Sequence, residues 1–321
     1  MTKPRLLFMG TPDFAVPALQ ALVRGGYPVC GVVTQPDRPR GRGRATAFTP
    51  VRIMAERLGL KVLQPEKVRD PAFLETFRGL APELVVVAAF GQILPQEILH
   101  GPRLGCINIH PSLLPKYRGA APIPWTLIRG EQKTGVTIMR MDEGVDSGPI
   151  LLQEETLICP EETFGELHDR LAKLGAELLL IALAMLQTGT LLPHPQDPLL
   201  ATSAPRLRRE DGRIRWDDDA RRIVSLIRGL SPHPGAYTFF EGKQLKVLAA
   251  VEGESVPGAA PGTVAGVAEA GLRVAAGSGC VVLKEVQMEG KRPLPIREFL
   301  RGCRIGPGQV LGATTETAGP A

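Results

Sequence analysis

The sequence lacks the marks of three common protein classes. Its five cysteines, Cys30, Cys106, Cys159, Cys280 and Cys303, are odd in number and contain no CxxC step. That argues against both a disulfide framework and a zinc site, and it fits a reducing cytoplasm. No apolar run reaches the roughly 18 residues of a membrane-spanning helix. The opening residues 1–5 lead into only four apolar positions, 6–9, too few for a secretory signal. The first strand signal ends at Gly10, and the GTPD that starts there lacks the further glycines of a GxGxxG dinucleotide loop. Gly10 therefore reads as a tight turn.

What the chain does have is length, turns and an uneven charge. Its 321 residues suffice for two domains, each with its own core. The 30 prolines and 36 glycines predict many defined turns. Residues 1–205 hold 21 Lys and Arg against 20 Asp and Glu, a net of +1, and residues 206–321 hold 17 against 13, a net of +4. The excess in the second part suits an anionic partner such as nucleic acid; the plain alternative is a solvated basic surface.

Apolar runs at 5–10 and 29–34 flank a helical pattern at 14–24, with Asp13 placed as its N-cap. This strand–helix–strand opening begins a parallel α/β sheet. Residues 35–50, QPDRPRGRGRATAFTP, carry Arg38, Arg40, Arg42 and Arg44 and no acid after Asp37. Their glycines prevent a helix, and a one-signed insertion of this length suits an anion or RNA, a solvated loop being the alternative. Helices follow at 51–60 and 71–79, with a short strand at 61–63 between them. Residues 84–90, LVVVAAF, form a strand buried on both faces. Further strands lie at 105–109, at 135–141 and from 150, with a helix at 120–129. A long helix at 164–186 closes the first domain.

Residues 188–205 are rich in Pro, Thr and Gly without periodicity and read as a linker. Beyond them RLRREDGRIRW brings five arginines and a helix spans 220–230. Short β-prone runs then lie at 236–240, 244–251, 262–267, 271–275 and 279–286, and a short helix at 297–304. Such runs with glycine turns predict a small β-barrel, OB-like among the options. The expected boundaries are a catalytic domain at 1–188, a linker at 189–205, a barrel at 206–312 and a disordered tail at 313–321. A boundary there predicts that the first domain folds without residues 206–321.

The chemistry gathers at residues 104–119, LGCINIHPSLLPKYRG, and in the acidic loop 141–148, MDEGVDSG. Asn108 and His110 are two apart on a strand, so both side chains leave the same face. With Asp146 they suit attack on a carbonyl-type carbon: an amide N–H for an oxyanion, an imidazole for proton movement, a carboxylate to orient or relay. Ser112 lacks a nucleophile-elbow context, and Cys106 shares the parity of Asn108 but sits deeper in the strand. Direct transfer between two bound substrates is therefore the more natural chemistry. Each residue also has a plain role open to it: Asn108 as a strand end, His110 as a satisfied polar group before a proline, Asp146 as a turn cap.

INIHPSLLPKYRGAAPIPW, GVTIMRMDEGVDSGPIL and FMGTPDFAVPAL resemble the folate-dependent formyltransferases, as do TQPDRPRGRGR and SPHPGA. The resemblance runs along nearly the whole chain. It implies a Rossmann-like N-terminal formyltransferase domain followed by a C-terminal OB-like barrel. It further implies transfer of a formyl group from 10-formyltetrahydrofolate to the amino group of methionine on initiator tRNA, for translation initiation. The enzyme would be a cytoplasmic monomer without a metal. In these terms Asn108 and His110 stabilise the oxyanion, and Asp146 holds His110 and assists proton transfer. Ser112, Leu113, Leu114 and Pro115 form a folate wall. Phe90, Gly91, Gln92, Ile93 and Leu94 line the pterin side, with Asp142, Glu143, Gly144 and Val145 at the ring edge. Arg38, Arg40, Arg42 and Arg44 clamp the tRNA acceptor stem, and Arg206, Arg208, Arg209, Lys291 and Arg292 touch its backbone. The chain departs from the family at His233, where the family often carries Trp. Two other classes stay open: formyl transfer to a small amine, which needs no arginine loop, and RNA binding without catalysis, which needs no Asn-His-Asp set.

Overall fold

The computed structural model describes residues 2–40 and 45–312. Arg42, Arg44 and the expected tail at 313–321 lie outside the described residues.

β1 (Leu6–Gly10) is apolar and buried throughout. At its end a Cβ on Gly10 would lie 2.7 Å from Ala15 Cβ, so the chain turns there in a space that only glycine fits. It enters α1 (Val16–Arg24) through a short 3-10 turn at Asp13–Ala15. Asp13, expected as an N-cap, lies inside that turn and makes no capping hydrogen bond, because the turn starts one residue earlier, at Pro12. β2 (Val29–Val33) follows. The arginine-rich insertion is a hairpin, β3 (Arg38–Arg40) against β4 (Ala45–Ala47). Then come α2 (Pro50–Arg57), whose Thr49 cap accepts from Arg52 N at 3.1 Å, and β5 (Val62–Leu63). α3 (Pro71–Leu80), β6 (Leu84–Ala88), α4 (Gln96–His100) and β7 (Cys106–His110) continue the winding. α5 (Pro122–Ile128), β8 (Lys133–Arg140), β9 (Ile150–Leu157) and α6 (Phe164–Thr188) follow.

The sheet order is β5-β2-β1-β6-β7-β8-β9. The strands from β5 to β7 are parallel, and β8 and β9 are antiparallel additions. The chain winds outward from β1 to β5, then returns to β6 beside β1. Sites in such sheets form at the carboxyl ends of the strands near that reversal. One face buries Leu7, Met9, Val85 and Val87 against Phe73, Phe77 and Ile98. α6 lies against β7, since a Cβ on Gly175 would be 2.7 Å from Ile109 Cγ2. By length and composition alone α6 passes for a membrane span. Its Leu167, Leu171, Leu179 and Leu183 are wholly buried, as in a core helix.

The chain divides into two compact units that are not contiguous in sequence. The first comprises the chain up to Pro122, Lys133–Leu157 and His168–Pro205; the second takes Ile123–Gln132, Ile158–Leu167 and the chain from Arg206 onward. Residues 189–205, expected as a linker, belong to the first unit. Their extended backbone pairs with it: Ile150 N donates to His194 O and His194 N to Ile150 O, both at 2.8 Å, and Ala204 N donates to Arg118 O at 2.7 Å. A proline-rich stretch leaves such groups available for pairing and is not thereby a free tether.

The second unit contains α7 (Ala220–Leu230), β10 (Ala236–Phe240), β11 (Lys243–Gly253), β12 (Val264–Ala268), β13 (Gly271–Ala275), β14 (Cys280–Met288), β15 (Leu294–Pro295) and α8 (Ile296–Gly302). The antiparallel order is β10-β11-β14-β13-β12, with β15 on β14. Residues 309–312 bridge the two outer strands. Val264 N donates to Gln309 O at 2.8 Å, Leu311 N to Gly262 O at 2.9 Å and Gly312 N to Phe239 O at 2.8 Å. Trp216, Ile227, Val247 and Leu283 fill the interior.

Candidate active site

Asn108 and His110 leave β7 on one face, alternating with the buried Ile107 and Ile109. Asp146, from the loop between β8 and β9, meets both. Asn108 Nδ2 lies 3.4 Å from Asp146 Oδ1, and His110 Nδ1 lies 3.6 Å from Asp146 Oδ2. Gly119 N donates to Asp146 Oδ2 at 2.9 Å. The backbone of Asp146 is left-handed, with φ of 49°. His110 is buried, and its Nε2 lies 2.9 Å from the carbonyl of Tyr117. A carbonyl only accepts, so Nε2 carries the proton there and Nδ1 is the nitrogen turned to Asp146.

The segment after His110 is held from beneath. The Ser112 hydroxyl is fully buried and donates to Lys116 O at 2.7 Å, an arrangement that disarms it as a nucleophile. Thr137 Oγ1 donates to Ser112 O at 2.6 Å and accepts from Leu114 N at 3.2 Å. Gln153 Nε2 donates to Leu114 O at 2.8 Å. Sequence reasoning missed Thr137 and Gln153; the signal for Thr137 was a hydroxyl set between Val136 and Ile138 in the buried run of β8. Leu113 and Pro115 are partly exposed beside the buried Leu114. Cys106 donates its thiol to Ile98 O at 3.1 Å, and burial pushes that thiol up to about 12, far from the reactive thiolate range.

The turn after β6 divides its residues between core and surface. Phe90 and Leu94 are buried in the sheet's lower core, so their rings and methyls face protein. Phe90 O accepts from Thr11 Oγ1 at 3.0 Å and Gln35 Nε2 at 3.3 Å. Gly91, Gln92 and Ile93 line a cleft of ≈ 360 Å³ with Arg38, Lys67 and Arg69, and Ile93 is 93% exposed. Across the acidic loop, Asp142 closes its own turn onto Gly144 N at 3.1 Å and Ser147 Oγ at 3.0 Å. Glu143 accepts from Gln96 Nε2 at 2.8 Å, and Val145 is 70% exposed. Among the described residues no group of three His, Cys, Asp or Glu side chains is placed to hold a metal ion.

Arg38 is exposed at the base of the hairpin, and Arg40 lies in β3. That base is pinned: Asp37 pairs with Arg52 and accepts from Gln64 Nε2 at 3.1 Å. In the second unit Arg206, Arg208, Arg209, Lys291 and Arg292 are all exposed. Lys291 and Arg292 edge a cavity of ≈ 440 Å³ floored by Phe240 and Phe299. His233 is exposed between two cis X-Pro bonds.

A mixed sheet with its polar cluster at the carboxyl end of an interior strand, followed by an antiparallel domain, is a formyltransferase architecture, and the chain belongs to the formyl transferase family. The family model matches residues 4–183, and the model of the formyl transferase C-terminal domain matches residues 206–304. The methionyl-tRNA formyltransferase of Syntrophus aciditrophicus is 57% identical over 313 residues, covering 97% of this chain and 100% of that protein. That of Citrifermentans bemidjiense is 50% identical, covering 99% and 100%. The structure of HypX from Aquifex aeolicus in complex with tetrahydrofolic acid superimposes with a TM-score of 0.63 at 19% identity, covering 93% of this chain and 47% of HypX. The chain thus spans about half the length of HypX, and at that identity the likeness is one of fold.

Proposed function

We propose that this chain transfers a formyl group from 10-formyltetrahydrofolate to the amino group of methionyl-initiator tRNA. The observation that carries the reading is the convergence of Asn108 and His110 on Asp146 at the carboxyl end of β7. Three polar groups there match the needs of one reaction. The methionyl amine attacks the formyl carbon, a C–N bond forms, and the carbonyl oxygen becomes an oxyanion. Asn108 Nδ2, with a second N–H beyond the one turned to Asp146, donates to that oxygen, with the His110 ring beside it. The attacking nitrogen loses its proton to Asp146, directly or through water. The oxyanion then collapses to the carbonyl of the new amide as the bond from the formyl carbon to the folate nitrogen breaks, and that nitrogen takes the proton Asp146 received, directly or through water.

The folate lies against residues 112–115, whose backbone Thr137 and Gln153 stiffen, and against the exposed Gly91 and Ile93 with the half-buried Gln92 between them. Residues 142–145 meet the ring edge, while Phe90 and Leu94 support the site from the core. The tRNA is held electrostatically by the arginine hairpin and by Arg206, Arg208, Arg209, Lys291 and Arg292. The identity of over half with a methionyl-tRNA formyltransferase along nearly the full length supports the choice of tRNA over a small amine. The enzyme works as a cytoplasmic monomer.

Formylation of charged initiator tRNA tests the reading. Turnover at low tRNA should fall steeply between about 50 and 200 mM salt, because each phosphate contact releases counterions. Salt-insensitive turnover of a small amine, with none on methionyl-tRNA, would sink it.

A further inference from the structure

We propose that Gln196 is a positioning residue of the transfer site, acting through Asp146; this rests on the formyl-transfer reading above. Between residues 192 and 200, Gln196 alone is not exposed. Its amide uses every hydrogen-bonding position it has. Nε2 donates to the carbonyls of Asp146 at 2.8 Å and Gly148 at 2.7 Å. Oε1 accepts from Arg118 Nε at 3.0 Å and Nη2 at 2.7 Å. An amide has two donors and two acceptor lone pairs, so this side chain is saturated by the bridge it makes.

The bridge joins the two loops that set the site's proton geometry. Residues on either side of Arg118 complete the polar cluster: the Tyr117 carbonyl faces His110 Nε2, and Gly119 N donates to the Asp146 carboxylate. The Asp146 backbone is in the left-handed region, which non-glycine residues seldom hold without support. Gln196 supplies that support at the Asp146 carbonyl itself. The flanking chain strengthens the grip, since Thr202 Oγ1 accepts from Tyr117 N at 2.9 Å and Arg118 N donates to Thr202 O at 2.8 Å. A composition that marks a linker thus delivers the clasp that aims the carboxylate at His110.

The test compares kcat and KM of the full-length protein with Gln196→Ala and Gln196→Glu, each alone and combined with Asp146→Asn. Glu keeps the length and the Arg118 partner but sets carboxylate oxygen against two carbonyl oxygens. Each single change should lower kcat by about tenfold to a hundredfold, the scale of a small misplacement. Both KM values should stay within about twofold. In the Asp146→Asn background either change should add less than about a further twofold, since residues that act as a unit do not add. Wild-type kcat in the variants, an effect mainly on KM, or losses that multiply with Asp146→Asn would each overturn the proposal. Circular dichroism checks folding; if the Ala variant is unfolded, the Glu variant decides, and failure of both to fold overturns the role in favour of a purely structural one. A wild-type protein that does not formylate methionyl-tRNA counts against the reading of function. An active wild type with unaffected Gln196 variants removes only the positioning role.

Discussion

Asp146 faces two polar side chains and a backbone N–H at once, with Asn108 at 3.4 Å, His110 at 3.6 Å and Gly119 N at 2.9 Å. Replacing it by Asn keeps the shape and the Gly119 contact but removes the charge facing His110 Nδ1 and the proton acceptor. Asp146→Asn should therefore lower kcat by at least roughly a hundredfold, the scale of acid–base groups, with tRNA affinity nearly kept. Single-turnover formylation beside a filter-binding titration measures both, and near-normal turnover would show that the carboxylate is misassigned. At this scale the sequence was readable where the rule is local. Alternation along one strand put Asn108 and His110 on a common face. Nothing local ties Asp146 to them: complementary chemistry suggested the link, and the resemblance strengthened it. Gln196 was out of reach because its partners, Arg118 and the Asp146 carbonyl, are far away in sequence and its neighbours read as linker.

Among the elements, those with a period or an apolar run between turn signals were legible, down to the five-residue β10 and β13, and those with neither were not. α6 and α7 follow from runs long enough to carry a period, and β6 from an unbroken apolar run. α4 is five residues between Pro95 and Gly101, too short for any pattern, and the closing segment at 309–312 is a pairing and not a propensity. The arginine insertion was read as glycine-loosened chain, yet β3 and β4 pair across it because Arg52 and Gln64 fix Asp37 at its base. α6 gives a direct test of how an element supports the site. Gly175 lets it close on Ile109, the residue between Asn108 and His110, and on Val136 at 3.4 Å. Gly175→Val gains a little helix propensity but overpacks that contact, at a net cost of about 1–3 kcal/mol. Denaturant midpoints should fall accordingly, and turnover should fall with them as β7 shifts. Unchanged stability would mean that α6 does not press on β7 there.

At the scale of the whole molecule, the division into units crosses the sequence. A chain cut after Pro205 keeps 123–132 and 158–167 but loses the core to which they belong. Ile128 packs on that core, and a Cβ on Gly229 would lie 2.7 Å from Ile128 Cγ1. Gly165 N donates to Ser231 O at 3.0 Å, a bond with no partner in the fragment. Burial pulls the Arg228 guanidinium below its ordinary value while Glu162 and Glu161 oppose that shift, so the cut also strips two carboxylates of a cation. Exposing one large aliphatic side chain costs about 1.5–3 kcal/mol, and the orphaned backbone and charged groups add to it. Composition alone drew the boundary at 189–205 and predicts that residues 1–205 fold well by themselves. The packing predicts otherwise: the fragment should bind a hydrophobic dye and unfold at a lower temperature, over a broader range, than the full chain. A dye-silent fragment with a sharp transition at the full-length temperature would restore the simpler boundary and show that 123–132 and 158–167 need nothing from the second unit.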